Sequence, residues 1–506
     1  MWKFKMITSK STTVYILSIL ILLILPNCSE KLQDGGLRIG WAMEDITPGD
    51  SAILYGQYYD RIAEYVQSPL NITACAIESV DKNRNKEQAI MLSADLVGIK
   101  KTMQDSLRKL IASEIPDFDV KKLFMNATHT HSAPDPDVTS AYGGFVLKKA
   151  CKAAQAAWNN RKPAGISRGL GYAVVGHCRR VQYANGTTEM YGSTAREDFI
   201  GMEGASDPGV DMLFCWDLNK ELTGIIMNVK CPSQITEAKY YVSADYWGEV
   251  RKQLRNKFSK NIYVLAQCGA AGDQSPRDLP RGYRAGEPNM WDIPGVVEIG
   301  KRLIQTINSV YPDAKNTIQT DPIFKHAVKE IDLPTRKVSK EEYEKSLKIV
   351  NEILSSEPKD INSPNTAWNR FLKEMKDNEK IMEYGPWDNK ESDFGILKIN
   401  QVLLKNYANQ DKNPFYRTEI HVIRLGDVAF ASNPFELYID YGLSIMGRSK
   451  AKQTFTIQLS CDYNDYLPTA RAISGGQYSA LVSQVGPTGG QVLVDETVKL
   501  INDMWK

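Results

Sequence analysis

The 506-residue sequence has little excess charge of either sign. It contains 62 Lys and Arg residues against 60 Asp and Glu residues, which gives a formal net charge of +2. No block of basic residues interrupts this balance, whereas proteins that bind nucleic acid usually carry a basic patch or stripe. The composition therefore argues against nucleic acid as a partner.

Long hydrophobic runs are also scarce, and the run near the N-terminus is too short for a membrane span. Three lysines precede an apolar run from Val14 to Leu25, whereas a transmembrane helix needs about 20 apolar residues. This pattern predicts a signal peptide over residues 1–28. Cys28 resembles the lipidated cysteine of a bacterial lipoprotein, although ordinary cleavage or an uncleaved anchor are alternatives. We therefore expect an exported protein, in the periplasm or on the cell surface of a bacterium, held at the membrane by an N-terminal lipid.

The cysteines do not form the pattern of a disulfide framework. Beyond Cys28 they are odd in number and irregularly spaced; they are Cys75, Cys151, Cys178, Cys215, Cys231, Cys268 and Cys461. Cys231 comes directly after a predicted strand. Taken alone, it could be a buried thiol or the disulfide partner of Cys268.

Strands and helices alternate over residues 36–311. Apolar residues at helical spacing predict helices near 102–115, 146–158, 245–258 and 296–307, with apolar strands between them. This order predicts an α/β fold with a mixed, mostly parallel sheet flanked by helices. Residues 337–410 differ, because helices near 343–354 and 368–382 indicate a helical insertion before strands return at 418–425, 428–431 and 454–459.

Histidine is rare, and two of the five histidines lie close together. His129 and His131 follow the apolar segment Leu123–Met125, and Pro134 comes shortly after them. In an extended backbone, residues i and i+2 point to the same face. Imidazole is a common metal ligand, so the pair predicts either a zinc site or a hydrogen-bonded pair of histidines.

Four other strand-end loops carry polar residues that could join these histidines. They contain Cys231, Ser275, Glu436 and Tyr466 in turn. Each has a simpler interpretation when taken alone: Glu436 as an acid at a helix N-terminus, Ser275 as a helix N-cap, and Tyr466 as one of 24 tyrosines.

Taken in order along the chain, these segments resemble the neutral ceramidase family. The more specific motifs are Thr128-His129-Thr130-His131-Ser132 and Gly272-Asp273-Gln274-Ser275-Pro276. The resemblance covers nearly all of residues 36–506 and implies that they form the catalytic domain. Because the sequence ends shortly after Tyr478, we expect no counterpart of the C-terminal β-domain that many ceramidases carry.

The resemblance also implies a zinc ion and its ligands. In that family one zinc is held by two histidines, a glutamate and a tyrosine, and three of these correspond to His129, Glu436 and Tyr466. The second histidine is absent, and the strand before Pro232 places Cys231 at its position. A thiolate is a good zinc ligand. The alternative is that Cys231 is not a ligand, which would argue against a metal ion at this site.

Four further residues correspond to the family's active-site positions. The resemblance gives His131 a role on the substrate side and lets Arg179 stabilise an oxyanion, although a surface salt bridge is an alternative for Arg179. Ser275 is either a nucleophile or a hydrogen-bond partner of the substrate, and Tyr478 matches an active-site tyrosine.

The resemblance thus predicts a zinc-dependent amidohydrolase that cleaves an N-acyl amide bond in a ceramide-like lipid or another small molecule. Two other functions are compatible with the sequence. One is an esterase or deacylase that acts on an acylated saccharide. The other is a non-catalytic binding lipoprotein that has lost the metal together with the second histidine.

Overall fold

The computed structural model describes residues 31–49, 51–80, 85–282, 286–379 and 392–506. The predicted signal peptide with Cys28 lies outside the described residues, as does the end of the helix predicted near 368–382. In the described part of the chain, no helix combines the length and the apolar character that crossing a bilayer requires.

The described residues form 23 strands and 11 α-helices. The strands are β1 (Leu37–Asp45), β2 (Ile53–Leu54), β3 (Arg61–Ile62), β4 (Tyr65–Val66), β5 (Asn71–Val80), β6 (Lys86–Ala94), β7 (Leu123–Ala127), β8 (Lys162–Tyr172), β9 (His177–Cys178), β10 (Arg180–Tyr183), β11 (Thr188–Met190), β12 (Phe199–Met202), β13 (Gly209–Asp217), β14 (Leu222–Val229), β15 (Tyr241–Val242), β16 (Tyr263–Cys268), β17 (Gln274–Ser275), β18 (Phe324–Pro334), β19 (Phe415–Leu425), β20 (Val428–Ser432), β21 (Glu436–Leu437), β22 (Gln453–Ile457) and β23 (Tyr466–Leu467). The helices are α1 (Lys101–Glu114), α2 (Ala141–Asn159), α3 (Tyr246–Lys257), α4 (Ile293–Asn316), α5 (Lys340–Ser356), α6 (Ala367–Glu379), α7 (Asp393–Asn409), α8 (Ile439–Arg448), α9 (Ala470–Gly475), α10 (Tyr478–Leu481) and α11 (Pro487–Asp503).

Two sheets form the centre of the fold. The larger has the strand order β16-β14-β13-β8-β1-β5-β6-β7, and the smaller has the order β18-β19-β20-β22. The predicted mixed sheet flanked by helices is confirmed, but the direction of pairing differs from the expectation. In the larger sheet only the outermost pairs, β14–β16 and β6–β7, are parallel, and the pairs between them are antiparallel.

The connections between strands explain the direction of several pairs. Residues 218–221 join β13 to β14, and such a short connection makes an antiparallel hairpin. The parallel pairs β6–β7, β14–β16 and β20–β22 each have a helix between their strands, namely α1, α3 and α8. A parallel pair needs such a crossover.

The two sheets and their helices make four layers. One apolar cluster joins the sheets, because it contains Ile39 and Leu213 of the larger sheet together with Ile423 and Phe455 of the smaller one. Helices α1 to α4 cover the other face of the larger sheet. Helices α8 and α11 cover the other face of the smaller sheet. The order of layers is therefore helix, sheet, sheet, helix.

Three helices separate two neighbouring strands of the smaller sheet. Helices α5, α6 and α7 come between β18 and β19, which are neighbours in the smaller sheet. Helix α5 begins with a capping box in which Ser339 and Glu342 each bond to the other's backbone amide. This terminus is thus fixed by local sequence, and helices α5 and α7 meet through the stacked rings of Tyr343 and Tyr407, 4.4 Å apart.

Candidate functional site

Five polar loops meet where the parallel strands of both sheets end. His129 and His131 follow β7, and Gln234 follows β14. The loop after β16 carries Gly272, while Glu436 follows β20 and Tyr466 lies beyond β22.

The two edge strands of the larger sheet are linked at this end. Asn126 at the end of β7 donates a hydrogen bond to the carbonyl of Ala266 in β16 at 3.1 Å. The strand ends therefore converge on one place, as is usual for sites in α/β proteins.

The two histidines meet by a different route from the predicted one. Strand β7 ends at Ala127, and His129 has a left-handed φ of 68°, so the pair does not lie on an extended strand. The backbone amide of His129 instead donates to the carbonyl of Leu96 at 2.9 Å. The Nε2 atoms of His129 and His131 nevertheless lie 3.4 Å apart. Left-handed non-glycine residues are uncommon and cluster at functional sites.

The ring of His129 is held in one tautomer. Its Nδ1 lies 2.6 Å from the carbonyl oxygen of Val97, which can only accept, so Nδ1 carries the hydrogen. In the neutral ring Nε2 is then an acceptor, and it lies 3.4 Å from the carboxylate oxygen Oε2 of Glu436. Two buried acceptors that face each other require a proton or a cation between them. Two ligands of one tetrahedral zinc, each at about 2.0–2.1 Å, would be about 3.3 Å apart.

Glu436 and Tyr466 are brought together by strand pairing. Strands β21 and β23 are parallel, with Glu436 and Tyr466 as register partners. Glu436 is therefore a strand residue and not an acid at a helix N-terminus. Its other oxygen, Oε1, accepts a hydrogen bond from the hydroxyl of Tyr463 at 3.2 Å. His129, Glu436 and Tyr466 thus form a buried set of nitrogen and oxygen donors that fits a metal ion such as zinc.

Arg179 is buried beside this set and is not a surface residue, since its side chain is only 3% exposed. Its Nη2 donates to the carbonyl of Gly272 at 2.8 Å and to the hydroxyl of Tyr466 at 3.3 Å. The same nitrogen lies 3.7 Å from Oε2 of Glu436. Arg179 thus places a fixed positive charge next to the carboxylate.

Gln234, which the sequence analysis did not select, connects Arg179 to His131. Arg179 Nη1 donates to Oε1 of Gln234 at 3.2 Å. Because arginine only donates, this contact fixes the orientation of the amide, and Gln234 Nε2 donates to Nε2 of His131 at 2.8 Å. On the other side of the ring, His131 Nδ1 lies 3.8 Å from Glu237. Gln234 belongs to the same loop as Cys231, and that position was the available signal.

The structure does not bring Cys231 to the other three predicted ligands. Its thiol contacts the carbonyl oxygens of Val175 and Pro232 at 3.6 and 3.5 Å. In the described part of the chain, only Glu419, His421 and Cys461 form a triplet of histidine, cysteine or acidic ligand atoms all within 4.8 Å of one another, so Cys231 does not complete such a triplet with His129 and Glu436. The seven described cysteines are all free, which also leaves Cys231 and Cys268 without the disulfide considered as an alternative.

Of the two remaining predicted residues, Tyr478 contacts a proposed ligand, whereas Ser275 has no histidine partner among the described residues. The ring of Tyr478 packs edge-on against that of Tyr466, with centroids 5.4 Å apart, so Tyr478 lies beside the site. Ser275 is in strand β17 and is not a helix N-cap. Its hydroxyl oxygen accepts a hydrogen bond from the backbone amide of Arg277 at 3.3 Å, and no described histidine side chain hydrogen-bonds to it. The structure therefore shows no Ser–His pair at this position.

The charges of the site adjust the pKa values of its groups. Burial alone would raise the pKa of Glu436, but a proton between the two groups, which gives His129 a charge and a hydrogen bond to the carboxylate, and the charge of Arg179 lower it overall. Burial and the charge of Glu436 raise the pKa of Tyr466 well above its usual value. Glu436 is therefore ionised at neutral pH, whereas Tyr466 keeps its proton unless a cation binds next to it.

The triplet of Glu419, His421 and Cys461 already contains a positive charge. Arg108 Nη2 lies 2.6 Å from Oε1 of Glu419 and 3.3 Å from Nε2 of His421. The same carboxylate oxygen is 2.8 Å from His421 Nε2. A metal ion bound here would lie close to the guanidinium, which disfavours it. The triplet is therefore better explained as a buried ion-pair network.

Comparisons with known proteins agree with this architecture. No protein-family model matches the sequence, and no curated protein matches it. The solved structure of neutral ceramidase from Pseudomonas aeruginosa matches with a TM-score of 0.65 at 17% identity, over 93% of this chain and 75% of that chain. A ceramidase complexed with C2 matches with a TM-score of 0.64 at 17% identity, over 93% and 76%. The chain therefore has the fold of neutral ceramidase.

Proposed function

We propose that the protein is a zinc-dependent amidohydrolase that cleaves the amide bond of a ceramide-like N-acyl lipid. The observation that carries the proposal is the buried pair of facing acceptors, His129 Nε2 and Glu436 Oε2, 3.4 Å apart. The likeness of fold to neutral ceramidase supports the reaction class. His129, Glu436 and Tyr466 would hold the ion, without Cys231.

The residues around these ligands suit the hydrolysis of an amide. Zinc supplies Lewis-acid activation of water and of the carbonyl group when it is bound. Arg179, buried beside Glu436, is positioned to stabilise the negative charge that develops on the amide oxygen. Gln234 and Glu237 hold the ring of His131 from two sides, so His131 can exchange a proton with the reacting groups in a fixed orientation.

Metal content tests the proposal directly. Purified wild-type protein should bind about one zinc per chain, as two neutral or anionic donors facing each other at a tetrahedral spacing predict. His129→Ala should lose most of the metal, because it removes one of these donors. Cys231→Ser should keep it, because the thiol bonds to the backbone carbonyls of Val175 and Pro232 and forms no ligand triplet with His129 and Glu436. The assay pairs metal analysis with hydrolysis of a fluorescent N-acyl-sphingosine.

Three results would each contradict a part of the proposal. Folded wild-type protein that binds no zinc, with folding checked by thermal melting, would favour a non-catalytic binding protein. A Cys231→Ser variant that loses the metal as completely as His129→Ala would restore Cys231 as a ligand. Zinc binding accompanied by hydrolysis of acylated saccharides but not of N-acyl-sphingosine would support the esterase alternative.

We also propose that the chain is exported and lipidated at Cys28, on the strength of the basic segment and the apolar run from Val14 to Leu25. In bacterial cells fed a labelled fatty acid, the wild-type protein should carry the label and sediment with membranes. Cys28→Ser should abolish both properties. A wild-type protein that carries no label would contradict the proposal.

A further inference from the structure

A series of aromatic rings leads from the site to the surface. The ring of Tyr478 lies 5.4 Å from Tyr466 and 6.2 Å from Tyr58. Tyr58 is in turn 6.2 Å from Phe394 of helix α7, and Phe394 is 4.7 Å from Trp368 of helix α6. We call these five residues, Tyr466, Tyr478, Tyr58, Phe394 and Trp368, the aromatic track. It connects the proposed metal ligands to the helical insertion.

The exposure of the aromatic track increases along its length. Tyr466 is 6% exposed, Tyr478, Tyr58 and Phe394 are partly exposed, and Trp368 is 38% exposed. Tyr58 and Phe394 pack against a small apolar cluster around Phe371, and Trp368 stacks on Phe371 with ring centroids 5.7 Å apart. This cluster is separate from the apolar cores that pack helices against the sheets. Apolar ring edges in a continuous row thus stay in contact with water, and such rows mark binding surfaces for apolar ligands.

The inner end of the aromatic track also adjoins His131. Residues 55–60 connect β2 to β3 and carry Tyr58. Gly56 in this segment lies against the ring of His131, since a Cβ atom there would be 2.6 Å from Nδ1. Arg61, which follows the segment, donates to the backbone carbonyl of His131 at 2.6 Å. A ligand bound along the track would therefore have one end at the catalytic groups.

We propose that the aromatic track binds the hydrocarbon chain of the substrate and that helices α6 and α7 set the chain length the enzyme accepts. This inference rests on the proposed function, because it names the part of the amide substrate that the insertion recognises. The track carries no charged side chain among its five members, and aromatic surfaces gain from covering apolar area. An alkyl chain fits this chemistry, because it can cover the rings without needing hydrogen-bond partners.

Tyr343 provides a control variant that tests whether substitutions in the insertion act only by disturbing its packing. Tyr343 of α5 stacks on Tyr407 of α7 at 4.4 Å, so Tyr343→Ala loosens the packing of the insertion without touching the aromatic track. Phe394→Ala removes the central ring of the outer track. Trp368→Ala removes a more exposed ring, at less risk to folding, and provides a second variant for the same question.

The test uses amides of four kinds, in which an acetyl or a dodecanoyl group is joined to a short or a long amino alcohol. Phe394→Ala and Trp368→Ala should lower kcat/KM for long-chain amides about fivefold or more, mainly through KM, because they remove apolar contact area. The amide with two short chains should change less than about twofold. Tyr343→Ala should change none of the four selectively.

Equal losses on all four amides, or the same selectivity in Tyr343→Ala, would overturn the inference while leaving the proposed function intact. If wild-type protein hydrolyses none of the amides, the proposed function fails instead. In that case, calorimetry of dodecanoic acid binding tests the aromatic track. Weaker binding by Phe394→Ala than by Tyr343→Ala would support the track as the alkyl-binding surface, and equal binding by the two variants would overturn it.

Discussion

Gln234 shows how one side chain can organise the candidate site without contacting a proposed metal ligand. Its carbonyl oxygen accepts from Arg179 and its amide nitrogen donates to His131. The amide therefore fixes the position of a positive charge and of a ring nitrogen at the same time. A buried side chain whose two polar ends are both paired in this way has little freedom to move.

Substituting Gln234 should separate catalysis from metal binding. Gln234→Met has a similar volume but removes both hydrogen bonds, so Arg179 and His131 each lose a partner that orients them. We expect kcat for N-acyl-sphingosine to fall about 10- to 100-fold, as for other losses of a preorganised contact. The zinc content should be unchanged, because the amide does not contact His129 or Glu436.

Gln234→Glu provides the control, since it keeps an acceptor for Arg179 but removes the donor to His131. Its activity should also fall while the metal is retained. Loss of zinc in either variant would mean that residue 234 holds the metal. Wild-type activity in Gln234→Met would show that catalysis does not depend on the hydrogen bonds of Gln234 to Arg179 and His131.

Cys231 marks the limit of what strand alignment can predict. The sequence places it correctly just after strand β14, but the direction of a side chain beyond the last strand residue depends on the loop. Here the thiol turns towards the carbonyls of Val175 and Pro232, and Gln234, three residues later, reaches His131. The identity of the loop was predictable, whereas the residue within it that faces the site was not.

At the level of elements, the site depends on the close approach of two backbones. The loop after β16 passes strand β21 at Gly272, whose amide donates to the carbonyl of Leu437 at 2.8 Å. A Cβ atom at Gly272 would lie 2.2 Å from the carbonyl oxygen of Glu436. Only glycine fits without displacing the strand that carries this proposed ligand.

Gly272→Ala should therefore lower both stability and zinc affinity. Overpacking of this kind costs about 1–3 kcal/mol, and the shift of Glu436 should weaken zinc binding about tenfold or more. Urea unfolding and zinc titration of the folded protein measure the two effects.

Gly447 near the end of helix α8 is the matched control, because a Cβ atom there would meet no heavy atom within 4 Å. Gly447→Ala should leave zinc binding unchanged and keep or raise stability by up to about 1 kcal/mol. Equal zinc affinity in Gly272→Ala and wild type would show that Glu436 tolerates the displacement or does not bind zinc.

Element types were easier to predict than their pairing. Helices α1 and α3 begin and end within one residue of their predicted positions. Helix α4 contains the predicted stretch 296–307 but continues to Asn316. The long strands β8, β13 and β18 were not selected, because pairing and burial within the sheets, and not a strong local pattern, define them. Since these strands include the antiparallel centre of the larger sheet, their omission made the sheet look mostly parallel.

On the scale of the whole molecule, three helix crossovers explain the location of the site. The parallel pairs β6–β7, β14–β16 and β20–β22 come from both sheets. Their C-terminal ends deliver His129, Gln234 and Glu436 to one place. The alternation of strands and helices in the sequence was sufficient to predict that polar loops gather at strand ends, but it could not show that two packed sheets contribute them.

Buried acids give the fold opposing responses to pH. Burial raises the pKa of Asp245 to about 6, although hydrogen bonds from Thr236 and Tyr246 oppose this. The folded state therefore binds the proton of Asp245 more tightly than the unfolded chain does. The stability that Asp245 contributes is present below about pH 4 and is lost as the pH rises through 6.

Glu419 responds in the opposite direction. Burial would raise its pKa as well, but hydrogen bonds from His421 and Arg108 lower it to about 2. Its contribution is present above about pH 4.5 and is lost as the pH falls towards 2.

Two neutral variants should separate these responses in urea unfolding measured from pH 3 to pH 7. Relative to Asp245→Asn, the wild-type protein should lose stability between about pH 4 and pH 6, by up to about 3 kcal/mol, because the wild-type carboxyl must ionise in a buried place. Relative to Glu419→Gln, the wild-type advantage should instead shrink as the pH falls below about 4.5. The two difference curves should therefore have slopes of opposite sign. A flat curve for Asp245→Asn would show that this carboxyl titrates in the folded protein as it does in the unfolded chain, and that burial at the start of α3 does not disfavour its charge.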